Sequence, residues 1–166
     1  MAATYEPIAS TTLGSGVSTY TFNSIPGTFT DLVLVISSHS TSTGGSVQAL
    51  RQRYNGDTAS NYSNTRLTGS GSVAASARRS NEVLMTGPVH GDNSAPFTTH
   101  VFHFMSYANT NVHKTVLMST AAPDIEVGRY VGLWRSTSAI TSIEVYDNAA
   151  NFATGTTLAL YGIKAA

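Results

Sequence analysis

DLVLVIS, residues 31–37, decides how the rest of the chain is read. Five aliphatic residues, Leu32 to Ile36, stand in a row between Asp31 and Ser37. A strand of that kind is apolar on both faces and belongs inside a sheet, covered twice, by a second sheet or by a subunit. It is far too short to cross a bilayer, which takes about 20 apolar residues. Outward from it the chain keeps a period of two. STYTF, residues 18–22, puts Tyr20 and Phe22 on one face, and IPGTFTD, residues 25–31, is a turn broken at Pro26-Gly27. SVQALRQRY, residues 46–54, alternates with Leu50 and Tyr54 inward and Arg51 and Arg53 outward.

The same period continues through NEVLMTG (81–87), TTHVFHFMSY (98–107), KTVLMST (114–120), EVGRYVGLWRS (126–136), ITSIEVYD (140–147) and TLALYGIK (157–164). In EVGRYVGLWRS, Val127, Val131 and Leu133 oppose Tyr130 and Trp134. Gly, Pro, Asn, Asp or Ser interrupts these runs at short intervals, and no apolar stripe of helical period has useful length. The pattern predicts an all-β, antiparallel β-sandwich of about nine to eleven short strands, jelly-roll-like, with minimal helix. GSGSVAASARRS (69–80) and PVHGDNSAP (88–96) read as long connections. The first dozen residues, within 1–13, read as an edge strand or as an arm that reaches a neighbour, and Pro7 keeps them out of a sheet interior.

A length of 166 residues fits a single domain spanning 1–166 that buries its own core. The chain has no cysteine, so disulfides and Cys-type zinc sites are excluded. Nine basic and nine acidic residues cancel, which gives no basic footprint for nucleic acid. Lysines are only Lys114 and Lys164, while arginine is used seven times, the bias found at protein interfaces. Charge is sparse at 11%, which protects little against self-association and suggests life in an assembly. The opening MAATYEPIAS lacks a signal-peptide pattern, so the expectation is a soluble protein made in a cytoplasm, without a membrane segment.

One stretch carries enough polar groups to invite a site. RYNGDTASNYS, residues 53–63, suits a calcium loop, a sugar-binding loop or a tight turn. Asn55-Gly56 between alternating segments is a strong hairpin signal, because both residues accept positive φ. Asp57 alone cannot hold calcium, and the EF-hand spacing is absent. A sugar site would use Tyr54 or Tyr62 as a stacking platform with Asn61 beside it. His100 and His103 lie three apart on one strand, point to opposite faces and cannot share a metal. There is no G-x-S-x-G elbow and no phosphate loop, so no catalytic residue, metal or cofactor is expected. Arg78 and Arg79 form a small basic spot, either in a solvated loop or against an acidic partner patch. Trp134, the sole tryptophan, reads as core.

Three segments carry a resemblance. YEPIASTTLGSGVSTYTFNSIPGTFTDLVLVI (5–36), RYNGDTASNYSNTRLTGSG (53–71) and TGTTLALYGIKAA (154–166) are similar, in the same order, to segments of small structural proteins of tailed bacteriophages and prophages. That resemblance implies a jelly-roll-like virion component, either a head decoration or cement protein or a fibre domain, commonly trimeric and non-enzymatic. It implies a capsid-surface location and contact with the major capsid protein and with copies of itself. The alternative is a tail or head fibre module that recognises host surface glycans. Partner contacts are expected at Tyr5 and Ile8 in the N-terminal segment, at Tyr54, Asn61 and Tyr62 around the turn, and at Arg78 and Arg79.

Overall fold

The structure is a computed structural model that describes residues 4–164. Twelve strands follow in chain order: β1 (Tyr5–Thr12), β2 (Thr19–Phe22), β3 (Asp31–Ser38), β4 (Gln48–Tyr54), β5 (Tyr62–Gly69), β6 (Ala74–Glu82), β7 (Met85–His90), β8 (Thr98–Met105), β9 (Lys114–Ala122), β10 (Glu126–Trp134), β11 (Ile143–Asp147) and β12 (Thr157–Ile163). They form an eight-stranded sheet, β1-β12-β3-β8-β9-β10-β5-β6, and a four-stranded sheet, β2-β11-β4-β7. All pairings are antiparallel, and the described residues contain no helix. Without β5–β6 and β9–β10, the remaining strands give β1-β12-β3-β8 facing β2-β11-β4-β7, the double Greek key of a jelly roll. The two inserted hairpins lengthen one sheet only.

The alternation explains the core. β3 sits between β12 and β8 with Leu32, Leu34 and Ile36 fully buried, while Val33 is buried and Val35 half-buried on the other side. Leu50, Gln52 and Tyr54 of β4 point in, and Arg51 and Arg53 lie on the outer face. On β10 the inward residues are Gly128, Tyr130, Gly132 and Trp134. Gly132 leaves space for the Met85 and Met118 side chains, which a Cβ would strike. Each large apolar side chain withdrawn from water contributes about 1.5–3 kcal/mol, so a core of this kind carries the fold without cross-links.

Several sequence expectations change. There are twelve strands rather than nine to eleven, because residues 69–80 are not a long loop. A tight turn at Ser70–Val73, closed by Ser70 N–H to the Val73 carbonyl at 3.0 Å, leads into the nine-residue β6. Its residues are small, polar and exposed on both faces, so it has no alternation to read. NEVLMTG is not one strand: β6 ends at Glu82, the chain bends at Val83–Leu84, and β7 starts at Met85 in the other sheet. Of residues 88–96, Pro88 to His90 belong to β7 and only the remainder is loop. Pro88 is tolerated because β7 is an edge strand whose register with β4 shifts there. The N-terminal segment pairs with the chain's own β12, so the described part is an edge strand and not an arm; Met1–Ala3 lie outside the described residues.

Candidate functional site

The turn at Arg53–Ser63 adopts its expected local geometry, with φ of 52° at Asn55 and 67° at Gly56. It is not a hairpin, however, because β4 and β5 belong to different sheets and the turn carries the chain across the sandwich. Asn55 fastens it there. Its Nδ2 donates to the Ala139 carbonyl at 2.7 Å, and its Oδ1 accepts from the Thr141 and Ser142 amides at 2.8 and 3.1 Å. Asp57 then gathers donors from three directions: the Ala59 amide at 2.9 Å, Asn61 Nδ2 at 2.9 Å and Trp134 Nε1 at 2.6 Å. Burial opposes ionisation of Asp57, but these hydrogen bonds outweigh it and hold the carboxyl below its usual value.

Tyr54 and Tyr62 are fully buried. Their rings lie 5.7 Å apart, Tyr54 meets Phe104 and Trp134 edge-on at 5.6 Å each, and Tyr62 stacks on Trp134 at 6.3 Å. Burial pushes the Tyr62 phenol up to about 12 and the Tyr54 phenol well above its ordinary value, so both stay neutral. Neither ring reaches a surface. The expectations of a stacking platform and of a partner contact at Tyr54 and Tyr62 are therefore corrected: the sandwich closes over them. Asn61 is half-buried and spends its side-chain amide on Asp57. The stretch is a structural latch between the sheets.

A second constellation assembles from distant segments. Ser38 Oγ lies 3.0 Å from His90 Nδ1, and His90 Nε2 lies 3.4 Å from Asp147 Oδ2. The second approach is an electrostatic contact away from hydrogen-bond alignment. Ser, His and Asp in a row suggest a nucleophile, but Ser38 and His90 are fully buried and the Asp147 side chain is shielded too. A nucleophile needs a reacting atom about 3 Å away, and the burial of Ser38 and His90 leaves no approach to them. His100, 6.2 Å from His90, is also fully buried, and neither of its ring nitrogens has a hydrogen-bond partner. Burial first, and the neighbouring His90 second, push the His100 imidazole down to about 3, so it is neutral near neutral pH. Burial opposes ionisation of Asp147, but the nearby His90 ring and the Ser40 hydroxyl and Ala149 amide outweigh it and lower its pKa. No sequence signal marks this cluster, since its members lie on β3, β7, β8 and β11. His103 points outward to Asp31 Oδ2 at 2.9 Å, opposite to His100 as alternation requires. No group of three or more His, Cys, Asp or Glu suited to a metal occurs among the described residues.

Polar chemistry at the surface is thin, and the remaining candidates are contact surfaces. Tyr5 is 55% exposed at the start of β1, whereas Ile8 is half-buried against the core. Arg78 and Arg79 are exposed on β6, with Arg79 4.0 Å from Glu82. Of the two lysines, Lys114 is buried and gives its ammonium to the carbonyls of Asn109, Val112 and Thr137 at 2.6–3.0 Å. Lys164 pairs with Glu6 at 2.8 Å. The feature that sequence reading did not single out is the outer face of the long sheet. There Leu67, Val101, Leu117, Val127 and Val131 stand exposed on neighbouring strands.

The chain matches no protein-family description and no curated protein. Among solved structures it is similar to a protein of unknown function from Shewanella oneidensis MR-1, at 10% identity and a TM-score of 0.22. That alignment covers 86% of this chain and 62% of the other.

Proposed function

We propose that the chain is a non-enzymatic structural protein of a bacteriophage virion, a decoration or cement protein on the capsid surface. It would stabilise the head by binding the assembled shell and not its separated subunits, which shifts the assembly equilibrium by mass action. Its partners would be the major capsid protein and copies of itself, in a homotrimer. The sequence resemblance at both ends and the middle of the chain supplies the phage context. The observation that carries the reading is the β5–β6 wing. It extends the long sheet with a nine-residue edge strand, exposed on both faces and paired on one side only. β6 buries almost nothing and is held only by its pairing with β5, and a shell surface that takes up its free edge or its faces supplies the missing contacts. Arg78 and Arg79 stand there to meet carboxylates on the shell.

The glycan-binding alternative is weaker on two counts. Tyr54 and Tyr62 are buried, and the Asp92 carboxylate of the second polar loop is already used by Gly45 N–H at 2.6 Å and Ser94 Oγ at 2.7 Å. The test is the composition of purified particles. The expected result is this chain in a fixed, high ratio to the major capsid protein, with heads stripped of it bursting at lower temperature. A ratio matching that of tail fibres, or unchanged head stability on stripping, would overturn the reading.

A further inference from the structure

We infer that the outer face of the eight-stranded sheet is the surface through which this chain meets a second copy of itself. The contact takes its biological setting from the decoration reading, but its physical basis is the sheet alone. β8, β9, β10 and β5 place Val101, Leu117, Val131, Val127 and Leu67 outward on adjoining strands. Their exposures are 37, 39, 50, 67 and 62%, and the strand register gathers them around Arg129 on one face rather than scattering them. The outer face of the short sheet is different: Arg53 there bonds Tyr146 OH at 2.7 Å, and Tyr146 OH bonds Glu144 at 2.6 Å.

Three properties favour a copy of the chain as the occupant. The first is size. The apolar residues span four strands about 4.8 Å apart and three residue rows about 6.7 Å apart, which cover roughly 400 Å² in plan. Side-chain relief raises that toward the roughly 800 Å² per partner of a standard interface. The second is shape. Val127, Arg129 and Val131 form a ridge along β10. An apolar groove lined by Leu67, Gly69 and Ala74 runs on one side, and a second groove, lined by Val101, Ser119 and Ala121, runs on the other. With volumes of about 290 and 210 Å³, each has room for a valine or leucine side chain from outside. The ridge of one copy fits a groove of the next, so neighbouring copies can seat ridge in groove around a closed ring. The third is charge. The outward residues of β9, β10, β5 and β6 include Arg129 and Arg78 and no carboxylate. Thr65, Ser76 and Ser119 on the same face offer neutral acceptors, so a copy can receive Arg129 without an acid. The chain's zero net charge adds no long-range repulsion.

The test is molar mass by light scattering across a concentration series, on the parent chain, Val127→Asp/Val131→Asp, Leu67→Asp and a control, Val112→Asp, at an exposed valine outside this face. The parent and the control should show a multiple of 17.4 kDa. The double variant and Leu67→Asp should fall to the single-chain mass with unchanged circular dichroism. A parent that stays monomeric at its highest attainable concentration overturns the inference, as does a folded double variant that assembles like the parent. If the double variant unfolds, Leu67→Asp alone decides. Shell binding separates this result from the functional reading. A chain that self-associates through this face but does not bind heads removes the decoration role and leaves the contact. A monomer that still coats heads does the reverse.

Discussion

The two ends of the core are built differently. At one end Tyr54, Tyr62, Phe104 and Trp134 pack ring to ring, and their polar atoms are satisfied. Trp134 reaches Asp57, Tyr62 OH reaches the Asp57 carbonyl at 3.1 Å, and Tyr54 OH reaches Gln52 at 2.8 Å. At the other end His90, His100, Ser38, Thr98, Thr120 and Asp147 are buried, but both His100 nitrogens and the Thr98 and Thr120 hydroxyls lack protein partners. At the aromatic end the rings have their polar atoms paired, with Gln52 Nε2 beside them left over, and the stability of this end should respond to volume. The histidine end is polar and only partly satisfied, and its stability should respond to pH. The rings at one end and the histidines at the other are closed off from solvent.

The sharpest way to break the comparison is at the aromatic end. Trp134→Ala removes the ring shared by Tyr54 and Tyr62 and frees Asp57, and should cost about 3–5 kcal/mol in denaturant unfolding. The histidine end should answer to acid. His100 is neutral in the fold with a pKa near 3, against an ordinary value of 6.5, so between these values the unfolded chain binds the extra proton. Stability is therefore highest above pH 6.5 and falls as pH drops toward 3, and His100→Leu should flatten that slope. A smaller effect is expected from Asp57→Asn, which weakens the acceptor shared by Trp134 and Asn61, at about 1–3 kcal/mol. The carboxyl of Asp57 has a lowered pKa, so its contribution holds above the ordinary value of 3.8 and is lost as pH falls through the folded value. The smallest change should come from Arg78→Ala/Arg79→Ala, within about 0.5 kcal/mol in unfolding, because both side chains are exposed. Any loss of head binding by that variant would then report on contact rather than on folding.

Much of the fold was legible because burial imposes alternation. The doubly apolar run at Leu32–Ile36, the inward Leu50 and Tyr54 and the two faces of β10 all follow from a period of two. The Asn55-Gly56 turn was readable from its φ preferences. Its destination was not, since whether a turn folds back or crosses to another sheet depends on partners far along the chain, such as Thr141 and Trp134. β6 was missed because a strand exposed on both faces has no pattern. The Ser38–His90–Asp147 cluster was missed because its members come from three separate strands. The aromatic residues around the turn were recognised as important, but sequence could not tell a ring that closes the core from one that meets a partner.

Electron cryo-microscopy of purified phage particles proposed to carry this chain tests the central claim most directly. The account predicts a jelly-roll density on the outside of the head shell, repeated over the capsid lattice, with the free edge of β6 against the shell and the apolar outer face of the long sheet against a neighbouring copy. Density confined to the tail, or a head surface without this fold, would contradict it.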